Sequence, residues 1–286
     1  MKKITLILLL LSVSYSFPQD KLQNDSISTC SRIFTKKNIS VAAVSAVYIS
    51  SLYDAYKIWW EDDKRPFTFQ KRVDWFGPYN DLGIDKLGHM YTSYFFYKLE
   101  RDIFLWGGFE PNKAKWMAGG LSFAMALIIE VGDGFSRYGF DYQDLTFNSI
   151  GLAYGVLQDE IPFLQNINLK WSYYPPEGFV FPPRFSEHYD GHIYWLTFDL
   201  HNMFYSSFGK YIPEYIQPAI GYSVGNKAQL REYTLGIDIN LLPFFRNSDN
   251  EYLNYLGNLI NLFHIPSPGI KFTETNKPEY KLFLLN

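Results

Sequence analysis

Three short polar runs decide how this chain folds: Asp85-Lys-Leu-Gly-His89, Glu130-Val-Gly-Asp133 and Asp144-x-x-x-Asn148-x-x-Gly151-x-x-x-Gly155. Two apolar segments at helical spacing, 91–109 and 116–129, lie between them, so the acid, imidazole and amide groups fall at the ends or on the inner faces of packed helices. Asp85 and His89 are four apart, Glu130 and Asp133 three apart, and Asp144 and Asn148 four apart. On helices each pair therefore projects from one face. The expected result is one polar cluster of Asp85, Lys86, His89, Glu130, Asp133, Arg137, Asp144 and Asn148. Gly151 and Gly155, again four apart, form a small-residue face against which another helix can lie closely.

Each of these residues also has a plain structural reading. Asp85 and Asp144 stand where helix N-caps belong, a role worth about 1 kcal/mol. His89 can be a hydrogen-bonded core histidine. Glu130 follows the apolar run 126–129 and must be protonated or meet a donor, with Arg137, Lys86 and His89 as candidates. As a counter-ion Glu130 makes the cluster a clasp. Sharing a ligand with His89 and Asp133 makes it a metal or acid–base centre, and these three are the metal candidates. His188-x-x-x-His192 has ligand spacing too, but Gly191 and nearby prolines place it in a loop, which argues against a metal there. No Gly-x-Ser-x-Gly elbow and no phosphate loop occurs.

The order Asp-Lys-x-x-His, Glu-x-x-Asp, Arg137, then Asp144-x-x-x-Asn148-x-x-Gly151 resembles the YfiM-like family of predicted bacterial periplasmic lipoproteins over roughly residues 75–160. More distantly it resembles the VanZ-like membrane proteins, whose pattern carries Gln where this chain has Asp133. The resemblance implies location and architecture rather than a reaction. One departure is that the leader ends without a lipobox cysteine, which argues against lipid anchoring.

The N-terminus agrees with export. Met1-Lys-Lys is a basic start, residues 4–11 form an apolar run, and Ser14-Tyr-Ser16 supplies small residues for cleavage after Ser16. The expected location is the periplasm or outer membrane of a Gram-negative bacterium. Cys30 is the single cysteine, so no internal disulfide can form and packing must hold the fold. A net charge of -3 without a Lys/Arg stripe excludes a nucleic-acid partner. Aromatic residues make up 19% of the chain, which suits a heavily packed core or a membrane-interface surface.

The fold class expected is α+β: an N-terminal bundle of about four helices with a polar core cluster, then a small antiparallel β unit. The divisions are a signal peptide (1–16), a flexible leader (17–37), a helical domain (38–165), a Pro-rich linker (166–190) and a β-rich unit (191–286). Helices are read at 38–60, 89–109, 113–131 and 145–159, and Asn112 is placed as the cap of the third. Asp54 and Lys57 interrupt the first and the apolar stretch of the third is 14 residues, so neither is expected to span a bilayer. The charges at 98, 100, 101 and 102 are expected to meet water. Beyond the linker the period changes to 2: Tyr233, Leu235, Ile237, Ile239 and Leu241 alternate with Thr234, Gly236, Asp238 and Asn240. Four or five strands are counted, fewer than the eight of a closed transmembrane barrel. The function expected is non-enzymatic binding of a lipid or envelope component, with no cofactor assigned. The alternatives are a metal-dependent or acid–base hydrolase of lipid or glycan substrates, and an outer-membrane structural module.

Overall fold

The computed structural model describes residues 34–286 apart from 72, 175–177, 179–187, 247–249, 275–276 and 285–286. The signal peptide, Cys30, most of the leader and the paired prolines of the linker lie outside the described residues. The architecture is α+β, with helices first and a six-stranded antiparallel sheet at the C-terminal end.

Helix α1 (Lys36–Ala55) is capped by Thr35, whose hydroxyl accepts from the Asn38 N–H, and runs on through a π-helical turn, Tyr56–Trp60. Helix α2 (Ile84–Trp106) follows a 3-10 turn in which Asp81 (φ 49°) and Leu82 (φ 55°) are left-handed, as is Gly83. Left-handed backbone is costly for a non-glycine residue. Leu82 is held there by burial against Ile84, Val224 and Ala228, and its carbonyl accepts from Tyr222 Oη at 2.5 Å. Helix α3 (Pro111–Gly134) begins earlier than expected. Glu110, not Asn112, is its cap, accepting from the Asn112 and Lys113 N–H groups, and Pro111 takes the first position, where its missing N–H is harmless. Helix α4 (Tyr142–Glu160) is capped by Asp141, not Asp144.

Val44 of α1, Tyr97 and Phe104 of α2, and Ala114 and Ala118 of α3 form the bundle core. Helix α4 lies closest to α2. A methyl group at Gly151 would stand 1.8 Å from the Met90 carbonyl oxygen, and one at Gly155 would stand 2.6 Å from the Tyr97 ring. The charges at 98–102 do not simply face water: Glu100 is buried against the Tyr48 hydroxyl, while Asp159 faces Lys98 and Arg101. Lys36–Trp60 and Pro111–Gly134 are long and apolar enough to cross a membrane by length and composition alone.

The sheet is a meander, β1 (Ile167–Tyr173), β2 (His192–Phe198), β3 (Ile216–Gly225), β4 (Leu230–Ile239), β5 (Gly269–Thr273) and β6 (Glu279–Lys281), one strand more than the upper expectation. The extra strand, β1, lies in the stretch expected as linker. Ile167, Leu169, Trp171 and Tyr173 alternate there with Asn168, Lys170 and Ser172, a period-2 pattern. His192 opens β2 rather than sitting in a loop. Short helices α5 (Leu200–Met203), α6 (Leu242–Arg246) and α7 (Glu251–Ile260) occupy the connections. The segment after α7 runs along the free edge of β1, with the Trp171 N–H donating to Leu262 O and the His264 N–H to Trp171 O, before entering β5. The sheet packs on α2 through Leu169, Trp171 and Tyr194 against Tyr91 and Tyr94, with Leu262 of the segment after α7 in the same cluster.

Along β3 and β4 the sheet has inverted polarity. Paired Ile216 and Ile239, and paired Ile220 and Leu235, are exposed, as are Tyr233 and Ile237. Gln217, Ser223, Thr234 and Asp238, one residue out of phase, are buried together with Lys170 of β1 and Lys271 of β5.

Candidate functional site: a histidine among carboxylates

The start of α2, the end of α3 and the start of α4 meet, because Gly151 lets α2 and α4 touch at Met90, next to His89. Lys86, fully buried, is the hub. Its Nζ donates to Asp144 Oδ1, to Asp141 Oδ2 at 3.1 Å and to Asp85 Oδ2 at 3.4 Å. His89, one turn on, turns Nε2 to Asp144 Oδ2 (3.6 Å) and Asp85 Oδ1 (3.8 Å), and Nδ1 to Glu130 Oε1 (3.7 Å). Asn148 stands 3.1 Å from Nδ1 and accepts from the Ser93 hydroxyl at 2.8 Å. Glu130 Oε2 accepts from the Asp141 N–H, whereas its buried Oε1 has no hydrogen-bond partner among the described residues. Asp85 and Asp144 belong to the first turns of α2 and α4, where the N-terminal dipole favours negative charge.

Six of the eight cluster residues named from the sequence are therefore in direct contact. Asp133 is turned to α1, accepting from Trp60 Nε1 at 2.7 Å, an indole aimed by the π-helical turn. Arg137 corrects the expectation outright. Its side chain is exposed, 3.7 Å from Asp63 and over the ring of Tyr138, so it is no counter-ion for Glu130. Neither Asp85 nor Asp144 caps its helix: Gly83 precedes α2 and Asp141 caps α4. Asp141 had a sequence signal, an Asp three residues before another acid at a helix start. Tyr189, which donates to Asp85 Oδ1 at 2.9 Å from 104 residues away, had none.

The electrostatics follow from burial and crowding. Burial opposes the charged imidazole, but Asp144, Asp85 and Glu130 outweigh it and push His89 up to about 9. Burial pushes Glu130 up to about 8 and Asp133 to about 6, the latter against the Trp60 hydrogen bond. For Asp85 burial is overcome by His89 and Lys86, and its carboxyl sits below the usual range. Burial raises Asp144 despite the same two neighbours. Two acids of one cluster are thus driven in opposite directions beside a protonated imidazole, an arrangement suited to holding or passing a proton. Among the described residues, the His and acid side chains whose ligand atoms lie within 4.8 Å of one another are Asp85, His89 and Asp144. These replace the expected set of His89, Glu130 and Asp133, because Asp133 faces the indole. His89 keeps 22% of its side chain open while Glu130 keeps 1%.

Residues 73–160, which carry Lys86, His89 and the carboxylates around them, match a family model described as predicted periplasmic lipoprotein (DUF2279). The match covers under a third of the chain, and it supports an exported, periplasmic protein. No curated protein and no solved structure gives a significant match. The periplasmic-lipoprotein side of the resemblance is thereby supported; the likeness to VanZ-like membrane proteins gains nothing from it.

Proposed function

We propose that this is an exported envelope protein that binds bilayer lipid along its apolar outer surface, without itself being an enzyme. The observation that carries the reading is the inverted polarity of the sheet. In water, a sheet with one free face turns apolar residues to the core and polar ones outward. Here Ile216, Ile220, Leu235, Ile237 and Ile239 are outside and Gln217, Thr234, Asp238 and Lys170 inside, the order a strand adopts when its surroundings are apolar. Full burial of such a side chain gains roughly 1.5–3 kcal/mol, and these are between 37% and 50% exposed, so each has about 0.5–1.5 kcal/mol left to gain and several together hold a protein on a bilayer. A depression of about 670 Å³ on this face, bordered by Leu235, Ile237, Ile270, Tyr280 and Leu282, offers room for an acyl chain. The outer sides of α1 (Ile39, Val41, Ile49) and α3 (Phe123, Leu127, Ile128) add a second exposed apolar surface.

Flotation with phospholipid vesicles tests the reading. The wild-type protein should rise with the vesicles at low and high salt, and Leu235→Asp with Ile237→Asp should stay behind while unfolding cooperatively. A wild-type protein left in the dense fraction would sink the proposal. A second reading, an acid–base or metal-dependent hydrolase of lipid or glycan, is favoured by the open edge of His89 among carboxylates. Mass spectrometry of the same vesicles decides it: no product, or equal product from His89→Ala, counts against an enzyme.

A further inference from the structure

We propose that Asp85, His89 and Asp144 bind one divalent cation of the first transition row, of the Zn²⁺ or Mn²⁺ class. This stands independently of the lipid reading. Nε2 of His89 lies 3.6 Å from Asp144 Oδ2 and 3.8 Å from Asp85 Oδ1. Those separations are too long for hydrogen bonds. They match the spacing of two donors that each stand about 2.0–2.2 Å from a shared ion. The three groups come from two helices fixed against each other by Gly151, so the donors are set before any ion arrives.

The groups behind the donors point the same way. Each carboxylate is divided: Asp85 Oδ2 and Asp144 Oδ1 face the Lys86 ammonium, leaving Asp85 Oδ1 and Asp144 Oδ2 toward His89. Tyr189 Oη donates to Asp85 Oδ1, and Asn148 faces His89 Nδ1. Metal-binding carboxylates and imidazoles are oriented by partners of this kind. With the Asn148 amide turned over, which the Ser93 hydroxyl accommodates equally well, Nδ1–H donates to it and Nε2 is free to ligate.

An independent observation is Glu130. It is almost wholly buried, its Oε1 has no hydrogen-bond partner among the described residues, and it is aimed at the imidazole from the side opposite Nε2. Such a carboxylate stabilises the Nδ1 edge of a ligating ring. The charge balance agrees: Asp85, Asp141 and Asp144 face the single Lys86 ammonium, a surplus of carboxylates that a cation offsets. One nitrogen with carboxylate oxygens suits Zn²⁺ or Mn²⁺, whereas Ca²⁺ takes six to eight oxygens. The open edge of His89 leaves a way in for the ion and for completing waters.

The test strips the purified full-length exported protein with chelator and titrates Zn²⁺ and, separately, Mn²⁺ by calorimetry, with elemental analysis after dialysis. About one equivalent should bind in the wild type. His89→Ala and Asp144→Asn should lose it, and Asn148→Ala, which removes no ligand, should weaken it about 10–100-fold. Excess Ca²⁺ should not compete. Where a variant fails to fold, the wild-type stoichiometry decides alone. No binding of either ion, or undiminished binding in folded His89→Ala, overturns the proposal.

Discussion

The protein holds two buried centres built from the same three residue types, and they behave in opposite ways. In the sheet, Lys170 donates to Asp238 at 2.6 Å and to Asn261 at 2.6 Å, while His264 stacks on Trp195 with ring centroids 3.8 Å apart. All three ionisable side chains are sealed from water. In the bundle, Lys86 faces three carboxylates and His89 is open at one edge. Burial drives His264 down to about 4 and holds Lys170 below its ordinary value despite Asp238. The carboxylates around His89 overcome burial and drive it up to about 9. One lysine against one aspartate makes a closed clasp. One lysine against a surplus of acids makes a centre that still has charge to offset. Residue types alone do not separate a clasp from a site; their ratio and their access to water do.

The comparison breaks first, and hardest, at Lys170. Lys170→Met leaves Asp238 buried without its cation, and losing one partner of a sealed pair costs about 3–5 kcal/mol. Urea unfolding should show that loss, and Lys170→Met with Asp238→Leu should recover most of it, because an apolar pair of similar volume replaces both charges. A single replacement that costs under about 1 kcal/mol would mean that the sheet pair is not a clasp.

Titration sharpens the contrast. A folded-state pKa raised above the ordinary value gives stability that is whole at low pH and is lost as pH rises. For His89 the loss runs from about 6.5 to about 9, and Glu130, raised to about 8, adds to it from a lower starting point. His264 is depressed, so its contribution is whole above about 6.5 and is lost as pH falls toward 4. Unfolding free energy of the chelator-treated protein should therefore fall on the alkaline side, by roughly 3 kcal/mol from His89 alone. His89→Gln should flatten that limb, and His264→Gln should flatten the acid limb from 6.5 to 4. An alkaline limb unchanged in His89→Gln would place the titration elsewhere.

The bundle centre was legible in the sequence because its residues are local. Spacings of three and four put Asp85 with His89 and Asp144 with Asn148, and helical geometry does the rest. The failures have physical causes. Arg137 lies beyond the end of α3, where the chain is free to turn the side chain out to Asp63. Tyr189 reaches Asp85 from the far side of the chain, which no spacing rule can see. The sheet centre was invisible for a different reason. Lys170 and Asp238 each occupy the polar phase of an alternating strand, and that phase ordinarily faces water. Period 2 fixes that there are two faces, not which of them is inside. β1 was missed because two prolines just after it made its whole neighbourhood read as linker.

Glycine substitutions separate the two centres most gently. At Gly151 a methyl group would meet the Met90 carbonyl oxygen at 1.8 Å, and backbone on both sides cannot yield as a flexible side chain would. Gly151→Ala should therefore push α4 from α2, at about 1–3 kcal/mol for overpacking. The shift falls on the contact that sets His89 against Asp144, so metal uptake by Gly151→Ala should drop, while amide protection of β1 to β4 in hydrogen exchange stays as in the wild type. Gly119 and Gly120, adjacent in α3, provide the control. At Gly120 an added methyl meets nothing within 4 Å, and at Gly119 it makes an ordinary contact with Leu152. With no clash to offset, Gly120→Ala should show only the helix-propensity gain, about 0.5–1 kcal/mol of added stability, with the cluster undisturbed. A loss at position 120 as large as that at 151 would show that α3, and not α4 alone, sets the spacing around His89.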